Sequence, residues 1–281
     1  MFARTPATSA NLGPGFDALA VALSLYVEVT LELADGFSIS SEGCGAGLFD
    51  DEGHLAARVA MSVLGHSNFS LRVNSSIPLS RGLGSSAALA VAAAAAAGAP
   101  DPLAVAAGLD GHAENAAASV LGGLVVASMG GEGVVARPLP LDEIWRFVVV
   151  VPDEELATSG AREALPERVA FSDAVHNLSA LGLLIAGLGD HRQFVGSSMD
   201  DALHQPYRAP LLGFADDLLA ALRDAGAAGS CWSGAGSSML GLVTSDSAAD
   251  VALGAKEFLR AHSIPGEVHT LDADRAGLVI H

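Results

Sequence analysis

The sequence predicts an α+β fold, and three observations lead there. Polar and apolar residues alternate strictly over several stretches, the signature of half-exposed strands. One run, "WRFVVVVPD", is apolar without interruption, as in a strand buried on both faces. Alanine-rich helical stretches stand between the strands without the strict βαβ alternation of a doubly wound parallel sheet.

Taken in order, Tyr26, Glu28, Thr30 and Glu32 interleave with Val27, Val29, Leu31 and Leu33 in a strand that grows out of a small-residue run beginning at Ala18. "GFSISSEG" is expected as its hairpin partner. "GHLAARVAMSVLG" reads as a helix, and "FSLRVNSSIPL" as a strand ending near Pro78. A helix from about Ser86 to Ala97 follows, then two more within "DPLAVAAGLDGHAENAAASVLGG". "GLVVASMG" and "WRFVVVVPD" are strands. A domain boundary is placed near Pro152, dividing residues 1–151 from 152–281, where the polar, arginine-bearing segment "DEELATSGAREALPERV" begins. Beyond it the pattern gives helices at 173–188, 191–203 and 214–225, one strand through "GSCWSGAGSSMLGLV", a helix at 247–262 and a last strand "GEVHTL".

Composition excludes several functions. The chain has 281 residues, enough to bury a real core, and a formal net charge of −18. Nucleic acid and anionic membrane both demand basic surface, so neither is expected as a partner. A polyanionic substrate would need local help from amides, arginines or a metal ion. Lys256 is the only lysine among 14 basic residues; codon bias in a GC-rich genome explains this better than selection for planar anion recognition does. Cys44 and Cys231 make no disulfide framework, which points to a reducing compartment. The start lacks the apolar stretch of a signal peptide, and the run Ala87–Gly98 falls short of the ~20 residues of a membrane span. A soluble cytoplasmic protein is expected.

Four segments could carry chemistry. In "PLSRGLGSSAALA", Gly82 and Gly84 permit positive φ and close ligand approach. Ser85 and Ser86 can cap the helix that follows, whose first N–H groups would face an anion. No lysine stands where a Walker A loop requires one, and a plain capped helix entered through a glycine turn fits the loop equally. "PATSANLGPGFDALA" is a rigid polar turn with Asn11, Gly13, Gly15 and Asp17, or a loop in which Asp17 caps a helix. "DGHAEN" crowds Asp110, His112, Glu114 and Asn115 together, as a metal site or as an acidic helix N-terminus. "SCWSGAGSSMLGL" puts Gly-x-Gly inside a strand pattern, a mark of a bulge or close backbone approach.

Together and in this order, the four segments resemble the motifs of the GHMP small-molecule kinases, and most closely those of the homoserine kinases. "ATSGAREALP" and "DDALHQPYRAPLL" extend the resemblance, which covers the whole chain from about Arg4. It implies a two-domain GHMP kinase fold, with an N-terminal part like the second domain of ribosomal protein S5, containing a left-handed βαβ unit, and a ferredoxin-like C-terminal part. It implies phosphorylation of the L-homoserine hydroxyl by ATP with Mg²⁺, in threonine synthesis, and homodimers are common in the family. By the same resemblance, the nucleotide loop is Leu79, Ser80, Arg81, Gly82, Leu83, Gly84, Ser85, Ser86, Ala87 and Ala88. Ser86 and Asp110 are the implied metal ligands. Asn11, Asp17, His112 and Asn115 surround the amino and hydroxyl ends of the substrate, Arg162 and Arg208 its carboxylate, and Thr158 lies near the reacting hydroxyl. Catalysis falls to Asn115, Thr158 and Asp17. An amide is not basic at neutral pH, so direct in-line attack is expected rather than proton abstraction by Asn115.

The sequence departs from the family at four points. Glu114 replaces an aspartate, Asp110 stands where a glutamate is commoner, His54 replaces an asparagine near the adenine, and "SGAGSS" replaces "SGAGPT". These departures leave room for a GHMP kinase acting on another small alcohol, or for a non-catalytic ATP- or amino-acid-binding relative.

Overall fold

The computed structural model describes every residue except Glu132, together with the side chain of Asp110. The implied metal role of Asp110 therefore lies outside the described residues. The chain opens with β1 (Phe2–Ala10), whose antiparallel neighbour β2 (Leu19–Leu33) is the long alternating strand. The turn between them is the "NLGPGFD" segment. No helix follows Asp17, so its expected alternative as a helix cap falls away.

β3 (Ser38–Gly43) is not the hairpin partner of β2. The chain leaves it through α1 (Leu55–Leu64) and returns in β4 (Phe69–Ser75), which lies between β2 and β3 and pairs with β3 in parallel. A period-two pattern specifies which face of a strand is buried but not which strand lies beside it, and the α1 crossover decides the order. His54 caps α1 by accepting the Ala56 N–H at its Nδ1, 3.1 Å away. α2 (Ser85–Ala96) follows, then α3 (Pro102–Asp110) and α4 (Ala113–Leu121). α2 is apolar on every side and packs against α1, α3, α4, β1 and β2. Its alanines let all five approach closely. β5 (Leu124–Gly130) and β6 (Gly133–Leu139) complete the sheet beside β2.

β7 (Trp145–Pro152), the uninterrupted apolar strand, begins a second sheet, and the boundary expected at 151/152 falls at its end. After it come α5 (Thr158–Glu163) and α6 (Phe171–Gly189), then two 3-10 turns at His191–Gln193 and Gly196–Met199. The helix expected at 191–203 is absent. Asp190 accepts the Arg192 N–H, Gly196 and paired serines interrupt any apolar periodicity, and Asp201 gathers the N–H groups of Leu203, His204 and Gln205. α7 (Gln205–Arg208) and α8 (Ala215–Asp224) lead to β8 (Gly229–Trp232) and β9 (Met239–Thr244). These form a hairpin where one strand was expected, and "SGAGSS" is its turn, closed by the Ser233 N–H on the Ser238 carbonyl. α9 (Ala248–Ala261) and β10 (Gly266–Leu271) end the second sheet in the antiparallel order β10-β7-β9-β8. That is the ferredoxin-like arrangement.

β11 (Val279–Ile280) returns to pair with β1. Among the described residues, α6 alone has the length and hydropathy of a membrane span. It turns Asn177, Ala180, Leu184 and Leu188 into the protein interior.

Candidate active site

Three segments from each half of the chain meet over the N-terminus of α2. The cleft they form, about 170 Å³ in volume, is lined by residues 80–87, Asn11, His112, Asn115, Thr158, Arg162, Arg208 and the Gly234–Ala235 turn. Leu79 faces an adjoining apolar cavity of about 240 Å³ that also receives His54, Leu55, Cys44 and Phe49. Ala88 lies one turn inside α2, fully buried, where its carbonyl accepts the Thr5 hydroxyl. Asp17 lines a second cleft with His112, Glu114, Thr158 and Arg162, continuous with the first through the residues they share. Asn11 and Gly234 stand 223 positions apart in the sequence, and the fold brings them together.

The residue at the N-cap of α2 is Gly84, in the left-handed region at φ 63°, rather than either serine. Among the described residues no side chain caps the helix, and the first-turn N–H groups and the positive end of the dipole face the cleft. The loop before it is held from both sides. The Arg81 guanidinium donates to the carbonyls of Leu79, Pro152 and Asp153 and pairs with Glu155 at 3.2 Å. The Ser233 hydroxyl donates to the Gly82 carbonyl at 2.8 Å, and the Leu83 carbonyl accepts the Thr8 N–H.

Asn11 takes positive φ, and both ends of its amide are used. Nδ2 donates to the Gly234 carbonyl and Oδ1 accepts the Asp17 N–H, at 3.0 and 2.8 Å. Asp17 in turn accepts from Arg162 Nη2 through both carboxylate oxygens, at 2.8 and 2.9 Å. Arg208 is 2% exposed. It donates to the carbonyls of Ala161 and Gly234 and, through Nη1, to His204 Nδ1 at 3.2 Å. That contact makes Nδ1 the unprotonated nitrogen of His204, leaving Nε2 to donate to the Gly13 carbonyl at 2.8 Å. Burial lowers the His204 pKa, in keeping with a neutral ring. Both guanidiniums lie over the Phe16 ring, at 5.7 and 5.3 Å for Arg162 and Arg208. Among the described residues no carboxylate pairs with Arg208. A buried cation is costly without a counter-charge, so this end of the cleft is built to receive an anion.

The "HAEN" segment spans the start of α4. His112 Nδ1 lies 3.4 Å from Glu114 Oε1, which also accepts from Asn115 Nδ2 at 3.1 Å. Glu114 is buried, and its hydrogen bond raises the His112 pKa against burial, which lowers it. The pair therefore stabilises the fold fully below the ordinary imidazole pKa of about 6.5, and that contribution fades as pH rises through the folded value. Replacing Glu114 by glutamine should lower the His112 titration midpoint, read by NMR of the imidazole nitrogens. A midpoint that does not move would refute the assignment. Asp17, His112 and Glu114 also lie close enough to share a cation. Asp17 already has Arg162 for a partner.

The sequence reading had not singled out Thr8, Phe16, Leu156 or His204. Each sits within or beside a motif it quoted, but nothing in a linear motif tells a contacting side chain from its neighbours.

Comparison with known proteins points to one family. Residues 54–123 match the GHMP kinases N terminal domain, and residues 173–261 match GHMP kinases C terminal. A homoserine kinase from Desulfitobacterium hafniense is 36% identical, covering 99% of this chain and 98% of its own. One from Thermus thermophilus is 41% identical over 88% of each. The crystal structure of homoserine kinase from Cytophaga hutchinsonii superposes with a TM-score of 0.87 at 29% identity, over 100% of this chain and 97% of that one. By motif, by sequence along its length and by fold, the chain belongs to the homoserine kinase family of the GHMP kinases.

Proposed function

We propose that the two clefts and the apolar cavity hold the two substrates of an ATP-dependent transfer to the hydroxyl of L-homoserine, the step that makes O-phospho-L-homoserine for threonine synthesis. The observation that carries the reading is Arg208. A buried guanidinium with no carboxylate partner among the described residues opens on the same cleft as a helix N-terminus that no described side chain caps, so two anionic groups of different chemistry have places side by side. The amides of residues 80–87 take the triphosphate, and the apolar cavity beside Leu79 takes the base. His54, which burial keeps neutral, closes that cavity while capping α1.

Arg208 and Arg162 grip the substrate carboxylate, and Asp17 and Asn11 lie towards its ammonium. His112, Asn115 and Thr158 lie towards its hydroxyl. Ser86 on the first turn of α2 offers a hard oxygen donor in the cleft, which suits Mg²⁺, and Asp110 is the proposed second ligand. When bound, the ion supplies charge neutralisation on the phosphate oxygens. The protein aligns the hydroxyl oxygen with the γ-phosphorus. That O–P bond forms as the bridging bond to ADP breaks, and the hydroxyl proton passes to the transferred phosphoryl group without a side-chain base.

Coupled ADP-release assays over homoserine, shikimate, mevalonate and galactose test this. Homoserine alone should turn over, and a chelator should abolish the signal until Mg²⁺ is restored. Turnover of another alcohol with none of homoserine would overturn the reading. So would ATP-induced thermal stabilisation without product from any acceptor.

A further inference from the structure

We infer that Thr8 is a positioning residue for the transfer: with Glu114 it fixes which way the Asn115 amide points into the cleft. The inference rests on the reading above. Thr8 is fully buried near the C-terminal end of β1, opposite Ala22 of β2. Its Oγ1 donates to Asn115 Oδ1 at 2.7 Å, while Asn115 Nδ2 donates to Glu114 Oε1 at 3.1 Å. A flipped amide would set its oxygen against the Glu114 carboxylate, acceptor against acceptor, so Glu114 selects the orientation and the Thr8 hydroxyl completes it. One N–H and one lone pair of Asn115 then remain for whatever occupies the cleft.

Thr8 also touches the nucleotide side. Its N–H donates to the Leu83 carbonyl, and its Oγ1 occupies the place that a Cβ on Gly84 would take. One buried hydroxyl thus references Asn115 and the phosphate loop to the same strand. Such a role matters for alignment in the transition state more than for holding either substrate.

Wild-type turnover of homoserine tests the underlying reading; the Thr8 variants test this inference separately. Thr8→Val keeps the shape and removes the hydroxyl. It should lower kcat roughly 10- to 100-fold while leaving both KM values within about threefold. Thr8→Ser should restore most of the loss. In an Asn115→Ala background, Thr8→Val should cost nothing further, because its effect runs through the amide it orients. Should valine prevent folding, Thr8→Ala read against Thr8→Ser carries the same comparison. Wild-type kcat in the hydroxyl-free variant, a serine variant as impaired as valine, or full additivity with Asn115→Ala would each overturn the inference.

Discussion

Gly82→Ala is expected to cost at least about 100-fold in kcat/KM for ATP, equivalent to roughly 2.7 kcal/mol or more of lost transition-state binding. The reason is backbone geometry. Gly82 sits at φ 72°, where an L-residue costs about 1–2 kcal/mol. A Cβ there would also collide with the Ser233 carbonyl oxygen and come within 2.9 Å of both the nitrogen and the oxygen of Gly236. None of these is the far end of a flexible side chain. The loop or the β8–β9 turn must move, and Gly234 is packed reciprocally, since a Cβ on it would lie 2.8 Å from the Gly82 carbonyl oxygen. Displacing this contact moves the amides of residues 82–86 away from the triphosphate they are proposed to hold. Gly98→Ala is the control. It has φ 80° but nothing within 4 Å of the added methyl, so it should carry the conformational cost alone and leave ATP turnover intact. Melting curves and ATP titrations on both variants decide the matter. Equal turnover in the two would show that the close approach at Gly82 has no part in nucleotide binding.

The loop was legible in sequence because its requirements are local: glycines where φ is positive, and a helix beginning where an alanine run begins. β7 of the second sheet was legible for a similar reason, since an uninterrupted valine run has few other uses. What escaped was non-local. Nothing in "GFSISSEG" says that its neighbour is β4 rather than β2, because alternation fixes a face and not a partner. Nothing in "SGAGSS" separates a bulged strand from a hairpin turn; the Ser233–Ser238 hydrogen bond does that. Residues 191–203 carry apolar side chains at helical spacing, yet Asp190 takes the Arg192 N–H at one end and Asp201 takes those of Leu203, His204 and Gln205 at the other. The site followed the same division. Arg162 and Arg208 could be named from short motifs, but that they converge on Phe16, and that only one of them is already neutralised, required the fold.

That asymmetry predicts which guanidinium dominates substrate recognition. Arg208→Ala should raise the KM for homoserine roughly 100- to 1,000-fold, the cost of removing one partner of a desolvated charge pair at about 3–4 kcal/mol, with little change in ATP affinity. Arg162→Ala should cost far less. Its side chain is 49% exposed, so solvent screens its pairing, and it must first give up Asp17. Arg208 has no such competitor and is already ordered by the Ala161 and Gly234 carbonyls, so its binding energy is not spent on breaking an internal bond. Arg208→Lys should recover only a small part of the loss, because an ammonium keeps the charge and forfeits the planar fork. The amino alcohol equivalent to homoserine without its carboxylate supplies the decisive comparison. If Arg208 reads the carboxylate, wild type should strongly prefer homoserine, and Arg208→Ala should treat the two acceptors nearly alike. A variant that loses both acceptors in equal proportion would place Arg208 in the support of the Gly234 turn instead, and the anion specificity of the cleft would have to come from Arg162.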